Sequence, residues 1–366
     1  MRVLKADDTV MMRVRPKLET HFPLIVAGLL LTLFISVTAS VMIGPISIPP
    51  QIIWKIAFSH IPGVGGWIEP DWSKARETII WEIRFPRVLL GVLVGAGLAV
   101  VGAAMQALFK NALVDPFIMG VSSGASVGAT LVILMGAFSV FGMYALSIAA
   151  FLGALTAITF VLVLSQVQGR ATPIRMLLTG IAVSAIGSAV TNLIIALAKN
   201  EAGIRDALFW LFGSLTGAKW EYLKIPGLVV VMGGLLLISQ YRPLNAMLMG
   251  EETAGTLGVN THRFRIFIIV LSALLTGVIV SVSGVIGFVG LMIPHMVRPV
   301  IGSDHRRLLP VSALWGAIFV VWVDVLARMI IAPEELPIGI VTALCGGPFF
   351  LWIMRRNLYS FGGDGR

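Results

Sequence analysis

A single cysteine, Cys345, occurs in 366 residues. That excludes an internal disulfide and any metal centre built from several thiolates. Charge is scarce too. Lys, Arg, Asp and Glu make up 12% of the chain, roughly half the share usual in soluble domains. The other potential metal ligands are thin: His21, His60, His262, His295 and His305 show no ligand spacing, so no metal is expected on this chain. The G-x-x-x-x-G-K-[ST] phosphate loop is missing, which excludes ATP binding by that route.

Apolar bulk is what the chain has. Hydrophobic residues make up 57% of it and 39 residues are glycine; the mean hydropathy is +0.95. No soluble core needs that much apolar surface. The composition fits an all-α polytopic membrane protein, because helices satisfy their own backbone groups in lipid. A span needs about 20 mostly apolar residues. Such runs lie at 22–43, 88–109, 117–135, 143–167, 174–197, 264–282, 308–329 and 338–354, with shorter ones at 225–239 and 284–297. The count is ten. The first run follows a polar, basic stretch and is about 22 residues long, too long for a signal-peptide core. Gly44-Pro45 lacks a cleavage pattern, so the run is expected to be a retained span. The organisation expected is an N-terminal tail at 1–21, a ten-helix domain at 22–356 and a C-terminal tail at 357–366.

The net charge of +9 answers to topology. With the N-terminus inside, ten spans return the C-terminus inside. Seventeen of the 27 Lys and Arg residues then face the cytoplasm, as the positive-inside rule requires. Anionic lipid is the expected partner of that charge, and no nucleic acid is expected. Residues 84–116 and 263–299 are weakly alike and would run in opposite directions, the pattern of an inverted repeat.

Polar residues within this apolar chain admit more than one reading. Arg84 and Arg87 stand outside, against the charge trend; they anchor a helix start or meet a negatively charged partner. Asp324 and Arg328 stand at i,i+4, as an ion pair or as the site of a proton relay. A proton relay would make the chain a secondary transporter. Gly120-Val121-Ser122-Ser123-Gly124 matches the nucleophile-elbow pattern but opens a glycine-rich helix, where small residues serve packing. Asn111 to Pro116 reads as a loop between two spans, or as a constriction if it faces a pore. The stretch 244–260, LNAMLMGEETAGTLGVN, reads as two short helices split at Gly250. Its few basic residues disfavour lipid binding and favour docking of a cytoplasmic protein.

Four stretches in order carry a family resemblance: RFPRVLLGVLVGAGLAVVGAAMQALFKNALVDPFIMGVSSGA (84–125), LNAMLMGEETAGTLGVN (244–260), GVIGFVGLMIPHMVRPVIGSDHRRLLP (284–310) and DVLARMIIAPEELPIGIVTALCGGPFFLWIMRR (324–356). The chain resembles the FecCD/BtuC-type permeases of type II ABC importers, which carry ferric siderophores, haem and cobalamin. Where that family usually reads Asn-Pro-Leu, this chain has Asn111-Ala112-Leu113.

The resemblance implies a BtuC-like bundle in a bacterial or archaeal cytoplasmic membrane. It implies a second copy of the chain, two cytoplasmic ABC ATPase subunits holding the ATP and Mg, and an external substrate-binding protein. Arg84, Arg87 and Arg328 match positions that dock the binding protein. Leu244, Met247, Gly250, Glu251, Glu252, Leu257 and Gly258 match the coupling segment on the ATPase. Asn111, Leu113 and Thr172 match positions near the inner gate. The cargo expected first is a ferric siderophore, then haem, then cobalamin.

Overall fold

The computed structural model describes residues 7–356 except 45, 47, 64, 168 and 169. Its helices are α1 (Asp7–Met42), α2 (Pro50–Ser59), α3 (Lys74–Glu77), α4 (Phe85–Phe109), α5 (Val121–Met135), α6 (Ala145–Leu164), α7 (Pro173–Leu197), α8 (Glu201–Leu211), α9 (Trp220–Ser239), α10 (Tyr241–Met249), α11 (Glu251–Thr256), α12 (Thr261–Ser283), α13 (Val289–Ile301), α14 (His305–Met329) and α15 (Ile338–Arg356). A π-helical segment, Thr78–Arg84, joins α3 to α4 without a break. The β structure among the described residues is one two-residue antiparallel ladder, Gln166–Val167 with Arg170–Ala171.

Among the described residues eight helical stretches are long and apolar enough to cross a membrane, and α5 and α13 are shorter apolar helices. All ten predicted runs fall on these helices. The helix α1 begins well before the apolar run, so residues 7–21 of the expected tail continue it. Residues 1–6 and the expected tail 357–366 lie outside the described residues. One boundary differs from expectation. The run at 284–297 starts its helix only at Val289, because Gly284 (φ +65°) and Phe288 (φ +68°) hold the preceding backbone in the left-handed region.

Local chemistry explains the other ends. Thr172 caps α7 and precedes Pro173, and Asn260 caps α12 through the Arg263 amide. The run at 117–135 breaks at Gly120 (φ +78°), which separates a 3-10 turn, Pro116–Met119, from α5.

The helix α4 is the axis of the bundle and is buried along nearly its whole length. Around it stand α9, α12, α13 and α14. Gly102 lets α4 meet α13 backbone to backbone: a Cβ there would lie 2.0 Å from the Gly290 carbonyl oxygen. Pro294 has no N–H, so the Gly290 carbonyl loses its helical partner. Gln106 Nε2 of α4 supplies a donor, 3.2 Å from both the Gly290 and Leu291 oxygens. The two weakly repeated units therefore meet where Gly290 packs against Gly102 and Pro116. By contrast, α1, α7 and α9 turn large apolar side chains such as Leu31, Ile181 and Leu228 outward, as helices do when they face lipid or another subunit.

Candidate functional site

Polar networks sit at the two ends of this apolar bundle. The end that holds the α1 C-terminus is the one the charge count places outside. There the structure brings the three predicted arginines together. Arg87 Nε lies 3.0 and 3.2 Å from the two Asp324 oxygens, and another Arg87 nitrogen lies 2.9 Å from Glu335 Oε1. Arg328 Nε pairs with the second Asp324 oxygen at 3.1 Å. One carboxylate thus holds two guanidiniums, and the Asp324 side chain is only 2% exposed. This is the ion-pair alternative for Asp324 and Arg328, and it joins two helices.

A second role of these arginines was not foreseen. The last carbonyls of a helix have no partner within it and carry partial negative charge. Arg84 donates to Val41 O at 2.6 Å and to Ile46 O at 2.7 Å. Arg328 donates to Ser40 O at 3.2 Å and Ser40 Oγ at 2.9 Å. Together they cap α1. The arginines that stand on the unexpected side of the membrane complete the end of a neighbouring helix.

Glu335 extends the network. Its other oxygen accepts the Thr216 hydroxyl at 2.9 Å. Thr216 belongs to the turn between α8 and α9, which lines a cavity of about 540 Å³ with Ser214, Lys219, Asp206 and Tyr222. Partial burial works against the Glu335 charge. The hydrogen bond and charge of Arg87, with Thr216 and Arg328, outweigh it and hold the carboxyl below its ordinary value.

At the opposite end lie α10 and α11. Leu244 and Met247 are fully buried and seat α10 against the bundle. Gly250 (φ +125°) turns the chain between the two helices, and Gly258 (φ +84°) ends the second. Glu251 pairs with Arg265, anchoring α11 to α12. The face turned away carries Leu248, Met249, Glu252 and Leu257. Met249 is 71% and Leu257 63% exposed. Of the seven residues matched to the coupling segment, Leu244, Met247 and Glu251 fasten it, Glu252 and Leu257 face outward, and Gly250 and Gly258 shape it. Sequence reasoning missed Asn245, Leu248 and Met249. The period of the short helix separates the faces, Leu244 and Met247 three residues apart on one of them.

The turn after α4 is built by Asx contacts. Lys110 (φ +48°) ends the helix, Asn111 Oδ1 accepts the Leu113 amide at 2.9 Å, and Asp115 Oδ1 accepts the Phe117 amide at 2.9 Å. Burial pushes the Asp115 carboxyl up to about 6, against the opposing pull of the Phe117 and Phe288 amides. Thr172 instead caps α7, two turns before Gly180, where α7 packs on Ile118. Ser123 of the elbow-like pattern donates to Gly120 O within its own helix, and Gly124 and Gly128 set α5 against α6 at Gly153 and Ala149. The pattern serves packing.

A bundle of apolar helices with its charge confined to helix ends is a multi-pass integral membrane protein. Residues 30–356 match the model of the FecCD transport family, and the chain belongs to that family. It is 38% identical over 349 residues to the hemin transport system permease protein HmuU of Yersinia pestis, covering 94% of this chain and 97% of that one. It is 43% identical over 282 residues to the cobalamin import system permease protein BtuC of Halobacterium salinarum, covering 77% and 74%. A solved inward-facing structure of a metal-chelate type ABC transporter superposes with a TM-score of 0.79 at 32% identity, covering 92% of this chain and all of that one. These relatives are transport permeases, in line with the expected class.

Proposed function

We propose that this chain is the permease subunit of an ATP-driven importer of metal chelates. It works as two copies with two cytoplasmic ATPase subunits and an external binding protein, and both of its termini are cytoplasmic. The observation that carries the reading is the α10–α11 platform, fastened to the bundle by buried side chains and offering an apolar outer face to a partner. The chain has no phosphate loop of its own, so the ATPase supplies the energy. Its closure on ATP moves the platform, and the central path between the two copies changes access. Among the described residues no group of three His, Cys, Asp or Glu could hold a metal. A metal chelate carries its own ligands.

A ferric siderophore is the cargo we place first. Haem is the second reading, favoured by alignment with a hemin permease along nearly the whole chain. The test is ATP-driven uptake into proteoliposomes holding this chain with its ATPase and binding protein, haem against a ferric siderophore panel. Siderophore uptake supports the first reading and haem uptake alone the second. Absence of ATP-driven uptake of any metal chelate overturns the importer reading. Met249→Glu with Leu257→Glu is expected to weaken ATPase association at least about tenfold, because charge on an apolar contact face is left desolvated.

The binding protein docks at the end that carries Arg84, Arg87 and Arg328, where three guanidiniums outnumber the Asp324 and Glu335 carboxylates. Such a contact is steered by charge. Raising salt from about 0.05 to 0.5 M is expected to slow association about tenfold or more. A rate independent of salt would remove this assignment.

A further inference from the structure

A polar clasp joins the platform to α14. Asn245 of α10 lies against the first residues of α14. Its side-chain oxygen accepts the His305 backbone N–H at 2.9 Å and lies 2.8 Å from His305 Nδ1. Its amide donates to Asp304 Oδ1 at 2.7 Å. The same Asp304 oxygen accepts the Arg306 amide at 3.0 Å and caps α14. A carboxylate only accepts, so the Asn245 amide must face Asp304. Its oxygen then faces His305, whose Nδ1 carries the proton. One side chain of the platform thus completes the amino-terminal cap of a spanning helix.

The two platform helices hold different spans. The clasp joins α10 to α14, Glu251 joins α11 to α12, and Gly250 in its positive-φ turn lies between them. Towards the far end of α14 stand Asp324 and Arg328, about 29 and about 35 Å from His305 at 1.5 Å per residue. Between the two ends α14 is set backbone to backbone on α4 at Gly316 and Gly95.

We infer that Asn245 is a positioning residue for energy coupling: it ties α10 to α14, so that displacement of the platform passes along α14 to the charged cluster at its other end. This rests on the importer reading above.

Reconstituted complexes test it. Asn245→Asp sets a carboxylate against Asp304. Like charges so placed are expected to lower ATP-driven uptake about tenfold. Adding Asp304→Asn removes the like charges and restores an amide–carboxylate contact, but its amide nitrogen cannot also accept the Arg306 N–H as the Asp304 oxygen does, so uptake is expected to recover in part, at least about threefold above the single variant. Wild-type uptake by the single variant, or no recovery in the double variant while the complex assembles, overturns the clasp.

A second measurement does not depend on those variants folding. Spin labels at Arg242→Cys and Arg306→Cys, with Cys345→Ser, report the distance from α10 to α14. That distance is expected to change by less than about 2 Å between nucleotide-free and ATP-trapped complexes. A larger separation overturns the clasp even where uptake is normal. A wild-type complex that hydrolyses ATP without uptake overturns the importer reading instead, and the label distance still decides the clasp.

Discussion

Replacing Asp324 by alanine is expected to destabilise the chain by about 3 kcal/mol, the lower end of the cost of stranding buried cations. The lower end applies because each arginine keeps a partner. Arg87 retains Glu335, and Arg328 retains Ser40. Both guanidiniums are 9% exposed, so water does little to replace the lost carboxylate. Thermal and denaturant unfolding in detergent measures the loss; a change below about 1 kcal/mol would show that the pairs are energetically idle. Replacing Asp324, Arg87 and Arg328 together by apolar residues of similar volume is expected to recover part of the loss, since no uncompensated charge then remains. The same variants separate the two readings of Asp324. A proton relay predicts that Asp324→Asn abolishes coupling and leaves stability unchanged. A carboxylate held by Arg87 on both oxygens and by Arg328 on one predicts loss of stability first.

The apolar runs were legible because lipid imposes one rule, a helix of about 20 residues, on every span. Their ends were less legible. The late start of α13 at Val289 depends on left-handed residues at Gly284 and Phe288. Phe288 carries no local signal for that geometry; the packing of neighbouring segments imposes it. The three arginines were legible as a group on the wrong side of the membrane. Their bonds to the α1 carbonyls were not, because Arg84 reaches residues 38 to 43 positions away in sequence. The platform was legible as two short helices. Which face it turns to the bundle follows from contacts among Leu244, Met247 and the helices beneath them. The importance of Asn245 follows from a partner 59 residues on. Local residues fix the helices and caps such as those of Thr172 and Asn260, while partners distant in sequence complete the ends of α1 and α14 and fix what the charged side chains do.

Gly95→Leu is expected to cost about 3 kcal/mol or more and to separate α4 from α14. A Cβ at Gly95 would lie 2.1 Å from the Gly316 oxygen and 2.9 Å from the Ala317 Cα. Both are backbone atoms, so no side chain can swing aside. Gly316 meets the reciprocal limit, with Gly95 O at 2.3 Å from its own added Cβ. Gly234→Leu is the control. Nothing lies within 4 Å of that position, and a change within about 0.5 kcal/mol is expected. The consequence reaches beyond stability because the two helices are antiparallel. Arg87 lies two turns before Gly95, and Asp324 lies two turns after Gly316. The glycine contact therefore sets the register that brings Arg87 to Asp324. Forcing the backbones apart should break that ion pair as well. Gly95→Leu and Asp324→Ala are then expected to be strongly non-additive, the double variant losing at least about 1 kcal/mol less than the sum of the singles. Full additivity would mean that the glycine contact and the charged cluster are independent.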